Sequence, residues 1–191
     1  QKPGYRETKS LIYRKSKSLV RNLRPAERHN LHDAAAQALF LEKDVRRTEE
    51  IAVNSVQLTV TSPPFLNIVQ YSRDNWLRCW FNHIDTAEIE QKMIMSGTVE
   101  EWSCVMKEVF EELFRITRDG GWVAFEVGEI RRGKIKLEEY IIPAGLKAGF
   151  TCTGVVINRQ QFTKTAHIWG VKNNAGGTNT NRIVLFHKNS Q

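Results

Sequence analysis

The sequence has no run of apolar residues approaching the ~20 that a membrane-spanning helix requires. Residues 1–5 are polar, and no apolar segment of the kind found in a secretion signal follows them. We therefore expect no membrane partner and a cytoplasmic location.

Cysteine is scarce, with three residues, Cys79, Cys104 and Cys152, that stand far apart. Their spacing matches no metal-binding pattern, so we predict no metal site. Each falls in a segment that has the pattern of a helix or strand, which predicts buried structural thiols in a reducing compartment.

No stretch of the sequence reads Gly-x-Gly, although the chain contains 12 glycines. In folds that bind a nucleotide-like cofactor, such a turn after the first strand lets the backbone approach the ligand closely. The chain therefore lacks the segment by which these folds usually hold a cofactor.

The length of 191 residues suits one domain with a substantial core. Hydrophobic residues make up 41% and charged residues 26%, a composition typical of globular proteins. The net charge of +7 favours a polyanionic partner.

Residues 1–30 carry many basic side chains and few apolar ones, which predicts a basic helical arm before a domain over residues 31–191. Its cationic face has two interpretations, a solvated surface or a contact with phosphates. The next segment, residues 31–41, is alanine-rich and predicts a helix, whose end at 38–41 has the alternative of opening a strand.

Residues 56–61 are rich in β-branched and apolar side chains and predict a buried strand. Pro63 and Pro64 lack the N–H that a strand ladder needs, so the strand must stop near Ser62. In open α/β sheets, ligands bind at this carboxyl end of the strands. The Ser62 hydroxyl and the Pro63 carbonyl offer two acceptors for an amino group, while Phe65 offers a ring for stacking.

The rest of the chain alternates helix and strand patterns, which predicts an α/β sheet, mostly parallel, with an antiparallel hairpin at its end. Thr98 and Glu101 form a capping box, and the helix that they open is expected to end at residues 119–121. Apolar residues recur in it at helical spacing and predict core packing: Val99, Trp102, Met106, Val109, Phe110, Leu113 and Phe114. The remaining predicted elements are a helix at 71–81, a strand at 122–128, a helix at 137–148 and strands at 150–157 and 182–187.

The sequence T-S-P-P-F at residues 61–65 resembles the catalytic motif S/D/N-P-P-Y/F/W of the DNA amino-methyltransferases. The longer run S-P-P-F-L-N-x-x-x-Y-x-R resembles the segment that contains and extends that motif in many members. Serine in the first position is typical of members that methylate N4 of cytosine, and aspartate or asparagine of those that methylate N6 of adenine. The resemblance implies a Rossmann-like class I methyltransferase sheet, S-adenosylmethionine as cofactor, double-stranded DNA as substrate, and a prokaryotic restriction–modification setting.

The resemblance also implies roles for residues of the motif. The target base is flipped out of the duplex, Ser62 and Pro63 accept hydrogen bonds from its amine, and Phe65 stacks on its ring next to Pro64. No cysteine follows a proline, so the Pro-Cys nucleophile of carbon-5 cytosine methylation is absent.

Further roles come from the same resemblance. Asp44 matches by spacing an acidic residue near the adenosine of the methyl donor, with a surface turn as its alternative, and Thr61 is assigned to the donor side. Tyr71 and Arg73 would face the DNA.

Residues 158–181 form a long, polar and cationic stretch between the last two predicted strands. Loops of this length are uncommon unless they are functional or disordered, and both alternatives are open. For the functional one we predict DNA contacts from Arg159, Lys164, Lys172 and Asn181.

The family normally carries F-x-G-x-G for donor binding, and this chain does not. The resemblance covers residues 38–188, the catalytic half, and its fold is expected to be incomplete. We expect the donor-binding segment on a second polypeptide or in a part removed from this chain. The alternatives are an adenine-N6 enzyme and a non-catalytic DNA-binding or subunit module that retains the fold.

Overall fold

The computed structural model describes residues 5, 7–64, 74–92, 96–130, 135–159 and 180–190. The chain divides into two compact units, residues 1–42 and residues 43–191. The predicted basic arm, residues 1–30, lies inside the first unit. None of the helices in the described part of the chain has the length and apolarity needed to cross a membrane.

The first unit contains two helices, α1 (Thr8–Val20) and α2 (Pro25–Ala36). The Glu7 carboxylate begins α1 by accepting hydrogen bonds from the N–H groups of Lys9 and Ser10. A proline in the first turn begins α2, because its missing N–H would have no partner there. No residue of either helix is buried, so the basic faces are exposed. The alanine-rich helix is confirmed, and residues 38–41 form no strand.

The second unit contains the α/β fold. Its helices are α3 (Trp76–Phe81), α4 (Thr86–Lys92), α5 (Val99–Ile116) and α6 (Glu138–Ala148). Its strands are β1 (Val56–Thr61), β2 (Thr117–Val127), β3 (Glu129–Ile130), β4 (Ile135–Lys136), β5 (Thr151–Arg159) and β6 (Thr180–His187).

Four strands form one sheet in the order β1-β2-β6-β5, and β3 pairs with β4 separately. Strands β1 and β2 are parallel, whereas β6 is antiparallel to both β2 and β5. The predicted α/β class with its terminal antiparallel hairpin is confirmed. One of the three pairings described in this sheet is parallel.

One face of the sheet packs against α5 and α6. The Phe110 ring of α5 lies at the centre of this core, with centroids 5.0 Å from Phe125 of β2 and 4.9 Å from Phe186 of β6. All three side chains are at most 1% exposed. The apolar stripe predicted for α5 is buried at six of its seven residues, Val99, Trp102, Met106, Val109, Phe110 and Leu113, and Phe114 is half-buried.

For α5 the sequence predicted the start of the helix correctly and its end wrongly. The Thr98–Glu101 capping box forms, with Glu101 N–H donating to Thr98 Oγ1 at 3.2 Å. The predicted end of α5 at residues 119–121 is wrong: the helix ends at Ile116, and β2 begins at Thr117 because this backbone joins the ladder with β1. In α6, Gly149 ends the helix with a φ of 112°.

The prediction of buried thiols is wrong for Cys104, which is exposed, whereas Cys79 and Cys152 are half-buried. Cys104 follows Trp102 by two positions, and residues two apart on a helix do not share a face. It therefore lies on the solvent side of α5. No cluster of potential metal ligands occurs among the residues that the structure describes.

Candidate active-site loop

Strand β1 ends at Thr61, and residues Ser62, Pro63 and Pro64 leave it as a loop at the carboxyl end of the sheet. Ser62 is exposed and Pro63 is half-buried. The predicted end of the strand is confirmed, because the two prolines cannot donate to a further ladder bond.

A tryptophan from α5 holds this loop. Trp102 Nε1 donates a hydrogen bond to the Pro64 carbonyl at 3.3 Å, and the Trp102 side chain lies in the core with the residue 4% exposed. The apolar stripe of α5 predicts core packing alone for Trp102. A buried indole N–H usually donates to an acceptor, so the sequence could have predicted a hydrogen bond from Trp102.

The neighbouring strand β2 brings a carboxylate to the same edge of the sheet. Thr61 pairs with Phe125, so Glu126 follows at the level where Ser62 follows Thr61. Strand β6 begins at this edge because it runs antiparallel to β2, and Asn181 Nδ2 donates a hydrogen bond to Glu126 Oε1. The structure thus places Ser62 and Asn181, two predicted site residues, at one edge. Glu126 was missed because one acidic residue in a strand carries no motif.

The Thr61 side chain lies on the face of the sheet that α5 and α6 cover, because Thr61 pairs with Phe125, whose side chain is buried on that face. Its side chain is half-buried there. Its assignment to the methyl donor stays a prediction.

Asp44 does not lie at the carboxyl end of the strands. It belongs to a group of ion pairs that contacts α5. Its carboxylate accepts hydrogen bonds from Arg46 Nη2 at 2.6 Å and from Arg46 Nε at 3.0 Å. These bonds hold the pKa of the Asp44 carboxyl below its usual range. Arg46 Nη1 also donates to Glu108 Oε2 at 2.7 Å. The contact of Asp44 with donor adenosine stays a prediction, and in this structure the carboxylate is paired with Arg46.

These ion pairs line an open cleft of about 710 Å³. Within it, the Glu112 carboxylate accepts hydrogen bonds from Arg115 Nε at 2.7 Å and from Thr48 N–H at 2.8 Å. Arg115 therefore lowers the pKa of Glu112 to about 2, with a smaller contribution from Thr48. Arg115 Nη2 also donates to the carbonyls of Thr48 and Ile51, at 2.9 and 3.1 Å. The hydrogen bonds and ion pairs along this cleft connect the segment before β1 to α5.

A buried arginine lies at the same end of the sheet on the helix side. Arg182 of β6 is 8% exposed and contacts two carboxylates, Glu129 at 3.0 Å and Glu138 at 2.6 Å. Glu138 is the first residue of α6, so the cluster joins that helix to the sheet edge. Arg182 stands far from both carboxylates in the sequence, and no local pattern indicated the contact.

The structure describes one further predicted site residue, Arg159. Arg159 is the last residue of β5 and pairs with Thr180 through the backbone. Five predicted residues lie outside the described ones: Phe65, Tyr71, Arg73, Lys164 and Lys172.

No protein-family model matches this sequence, and no curated protein does. Among solved structures, the chain is similar to TTHA0409 of Thermus thermophilus, assigned as a DNA modification methylase: identity is 22%, coverage is 78% of this chain and 51% of that chain, and the TM-score is 0.46. For the cytosine-N4-specific PvuII DNA methyltransferase, identity is 14%, coverage 73% and 44%, and the TM-score 0.48.

A third similar structure is a SAM-dependent methyltransferase of Methanosarcina mazei, with 10% identity, coverage of 85% and 77%, and a TM-score of 0.43. The chain spans about half the length of TTHA0409 and of the PvuII enzyme. At these identities and TM-scores, the activities of the three proteins do not transfer to this chain.

Proposed function

We propose that this chain is the catalytic portion of an S-adenosylmethionine-dependent DNA methyltransferase that modifies the N4 amine of cytosine. The observation that carries the proposal is the Ser62-Pro63-Pro64 loop at the carboxyl end of β1, anchored to the core by Trp102. This is the position at which α/β sheets bind ligands, and its residues match the motif of the resemblance.

One polar atom of the loop bonds within the protein, and two others are proposed to bind the substrate. The Pro64 carbonyl already accepts a hydrogen bond from Trp102. We therefore assign the hydrogen bonds of the target amine to the Ser62 hydroxyl and the Pro63 carbonyl. Two acceptors on one amino group fix its orientation, and the nitrogen lone pair then points away from them. Holding a reacting group in one orientation can supply a large part of a rate enhancement. The base must leave the duplex to reach the loop.

The donor half of the site does not fit this chain by itself. The sequence has no Gly-x-Gly turn to bring backbone close to S-adenosylmethionine, and the Asp44 carboxylate is paired with Arg46. We propose that a segment with F-x-G-x-G, on a second polypeptide or in a part of the protein outside these 191 residues, completes the donor site.

Double-stranded DNA is the proposed substrate. The net charge is +7, and the exposed basic helix α1 adds to the predicted contacts from Tyr71, Arg73, Arg159, Lys164, Lys172 and Asn181. Contacts with several phosphates make binding strongly dependent on salt.

The missing glycine turn favours a second candidate, a non-catalytic DNA-binding or subunit module. The experiment that separates the two measures methyl transfer to DNA by the chain reconstituted with a polypeptide that carries F-x-G-x-G. Nucleosides from the DNA are then identified by mass spectrometry. We expect N4-methylcytosine.

Ser62→Ala should lower turnover of the reconstituted enzyme by about 10- to 1,000-fold, because one positioned polar group at the reacting centre is lost. The matched control is Ser190→Ala, an exposed serine after β6. Methyladenine without N4-methylcytosine would refute the cytosine assignment, and DNA binding without any transfer would favour the non-catalytic module.

A further inference from the structure

The first unit carries most of the net charge of the chain. Residues 1–42 contain nine basic and four acidic residues, a net charge of +5, whereas residues 43–191 contain 19 basic and 17 acidic residues, a net charge of +2. No residue of α1 or α2 is buried. The positive charge is therefore concentrated in a short unit whose helices are exposed.

Three cations lie along one line of α1. Arg14, Lys17 and Arg21 follow one another at spacings of three and four residues, which places their side chains on one side of a helix. Arg21 keeps helical backbone angles at the end of α1, so the line extends to it. All three residues are exposed, and at 1.5 Å per residue the line is about 10 Å long. We name these three residues the cationic line.

Three of the four carboxylates in the first unit have other partners. Glu7 accepts hydrogen bonds from N–H groups in the first turn of α1. Glu27 Oε1 lies 2.6 Å from Arg24 Nη2. Asp33 Oδ2 lies 3.3 Å from His29 Nε2. In the part of the chain that the structure describes, no carboxylate forms an ion pair with the cationic line, so these groups leave its charge unneutralised.

Another arginine stabilises the end of α1 that carries the cationic line. Arg28 of α2 donates from Nε to the Leu23 carbonyl at 3.2 Å. Its Nη2 donates to the carbonyls of Val20 and Arg21, at 3.2 and 3.4 Å. The last carbonyls of a helix have no partner within the helix, and these bonds supply one. Arg28 thus joins the two helices and holds Arg21 in line with the other two cations.

The opposite side of α1 does not suit a lipid surface. Leu11, Lys15 and Leu19 follow one another at four-residue spacing, so a lysine lies between the two leucines. A helix that lies in a membrane interface buries an apolar face among the lipids, and Lys15 interrupts that face. A rigid polyanion requires only cations on the side that faces it. The arrangement of charges on α1 therefore favours a nucleic acid over a membrane.

We propose that the cationic line binds the phosphate backbone of duplex DNA, and that each of its three side chains displaces a counterion from a phosphate. Contacts of this kind supply affinity and orientation, and they carry no sequence information. The inference deepens the proposed function and rests on it for the choice of DNA as the polyanion. It requires neither the Ser62 loop nor the methyl donor.

The test measures the binding of the 191-residue chain to short fluorescein-labelled DNA duplexes by fluorescence anisotropy at several salt concentrations. Each lost phosphate contact lowers the slope of log affinity against log salt concentration by about 0.9. The triple variant with Arg14→Gln, Lys17→Gln and Arg21→Gln should therefore have a slope smaller by about 2–3. It should bind about 100-fold more weakly at about 0.1 M salt. The loss should be equal for duplexes of different sequence.

A second triple variant separates a local contact from a general effect of net charge. Lys107→Gln, Arg118→Gln and Lys147→Gln remove the same charge at three exposed positions of the second unit. Because these residues are dispersed over α5, β2 and α6, we expect the slope to fall by less than about 1.

Single variants provide a control within the same helix. Lys17→Gln should lower the slope by about 1, whereas Lys15→Gln should leave it unchanged. The two lysines are two residues apart and do not share a face of α1. Glutamine and lysine have similar helix propensities, so both variants should keep the helix. Far-UV circular dichroism checks this, and the single variants carry the test if the triple variant does not fold.

The inference is overturned if the triple variant keeps the parental slope, if the dispersed variant loses as much affinity, or if Lys15→Gln and Lys17→Gln behave alike. It is also overturned if the chain binds phosphatidylserine vesicles and no DNA, which would assign α1 to a membrane. Failure of the proposed function is a separate outcome, because the binding assay contains no methyl donor. The cationic line can bind DNA when no methyl transfer occurs, and transfer can occur when the cationic line makes no contact.

Discussion

Both faces of the main sheet carry large apolar side chains, but the burial of those side chains is very different. On the face that α5 and α6 cover, four side chains are at most 1% exposed: Val123, Phe125, Val184 and Phe186. On the opposite face, residues of β1, β2 and β5 are exposed by 37% to 75%: Leu58, Val60, Trp122 and Val156. Hydrophobicity by itself therefore did not report burial in this sheet.

The difference shows how a strand pattern should be interpreted. Near-continuous apolar strands are typical of sheets with both faces covered. Here the register of β1 on β2 divides neighbouring residues between the two faces, with Val60 opposite Ala124 and Thr59 opposite Val123. The element that covers a face decides which of them are in the core. Substitutions of one residue type should have unequal effects on the two faces.

The largest expected effect concerns Arg182, a charged residue that is buried on the face covered by α5 and α6. Replacing Arg182 by methionine leaves Glu129 and Glu138 without the cation that lies between them, at 3.0 and 2.6 Å in the parent. Breaking a buried pair in this way costs about 3–5 kcal/mol in the free energy of unfolding. Urea unfolding measures it, with Arg118→Met on the exposed part of β2 as control. A loss below about 1 kcal/mol would show that the cluster contributes no more than a surface ion pair.

A matched pair of valines tests the comparison directly. Val184 on the covered face is 0% exposed, and Val60 on the opposite face is 75% exposed. We expect Val184→Ala to lower the free energy of unfolding by about 2 kcal/mol, because it removes buried methyl groups and leaves a cavity. Val60→Ala should change it by no more than about 0.5 kcal/mol. Equal losses in chemical denaturation would mean that the face of Val60 is covered in solution.

The smallest expected effect is on the helix side, where Glu112 fastens the segment before β1 to α5. Its pKa is lowered to about 2 from 4.5, so its stabilising contribution is complete above about pH 4.5 and is lost as the pH falls towards 2. We expect a loss of about 1 kcal/mol over this interval, because Arg115 is partly exposed and solvent weakens the pair.

The measurement is the free energy of unfolding of Glu112→Gln and of the parent between about pH 5 and pH 2. The variant should lack this part of the acid dependence, whereas Glu111→Gln should retain it. Parallel curves for the parent and Glu112→Gln would show that the ion pair does not form in solution.

The sequence predicted those features that depend on neighbouring residues. The end of β1 followed from two prolines that lack N–H groups, and the start of α5 followed from a hydroxyl at Thr98 and a carboxylate three residues later. The contacts that complete the candidate site were not predicted. Trp102 is 38 residues from Pro64, and Asn181 is 55 residues from Glu126. No spacing rule connects such residues before the chain folds.

Lys188 shows where the division lies. In the sequence it is one cation of a basic chain, but the structure buries it at 7% exposure. Its Nζ donates to Asn54 Oδ1 at 2.7 Å and to the carbonyls of Phe114 and Thr117, both at 2.9 Å. By itself the sequence determined local conformation, because steric limits, capping and periodicity act over a few residues. Only the tertiary structure decided which face was covered, which charges were paired and which amide was held at the site, because each depends on groups that folding brings together from distant parts of the chain.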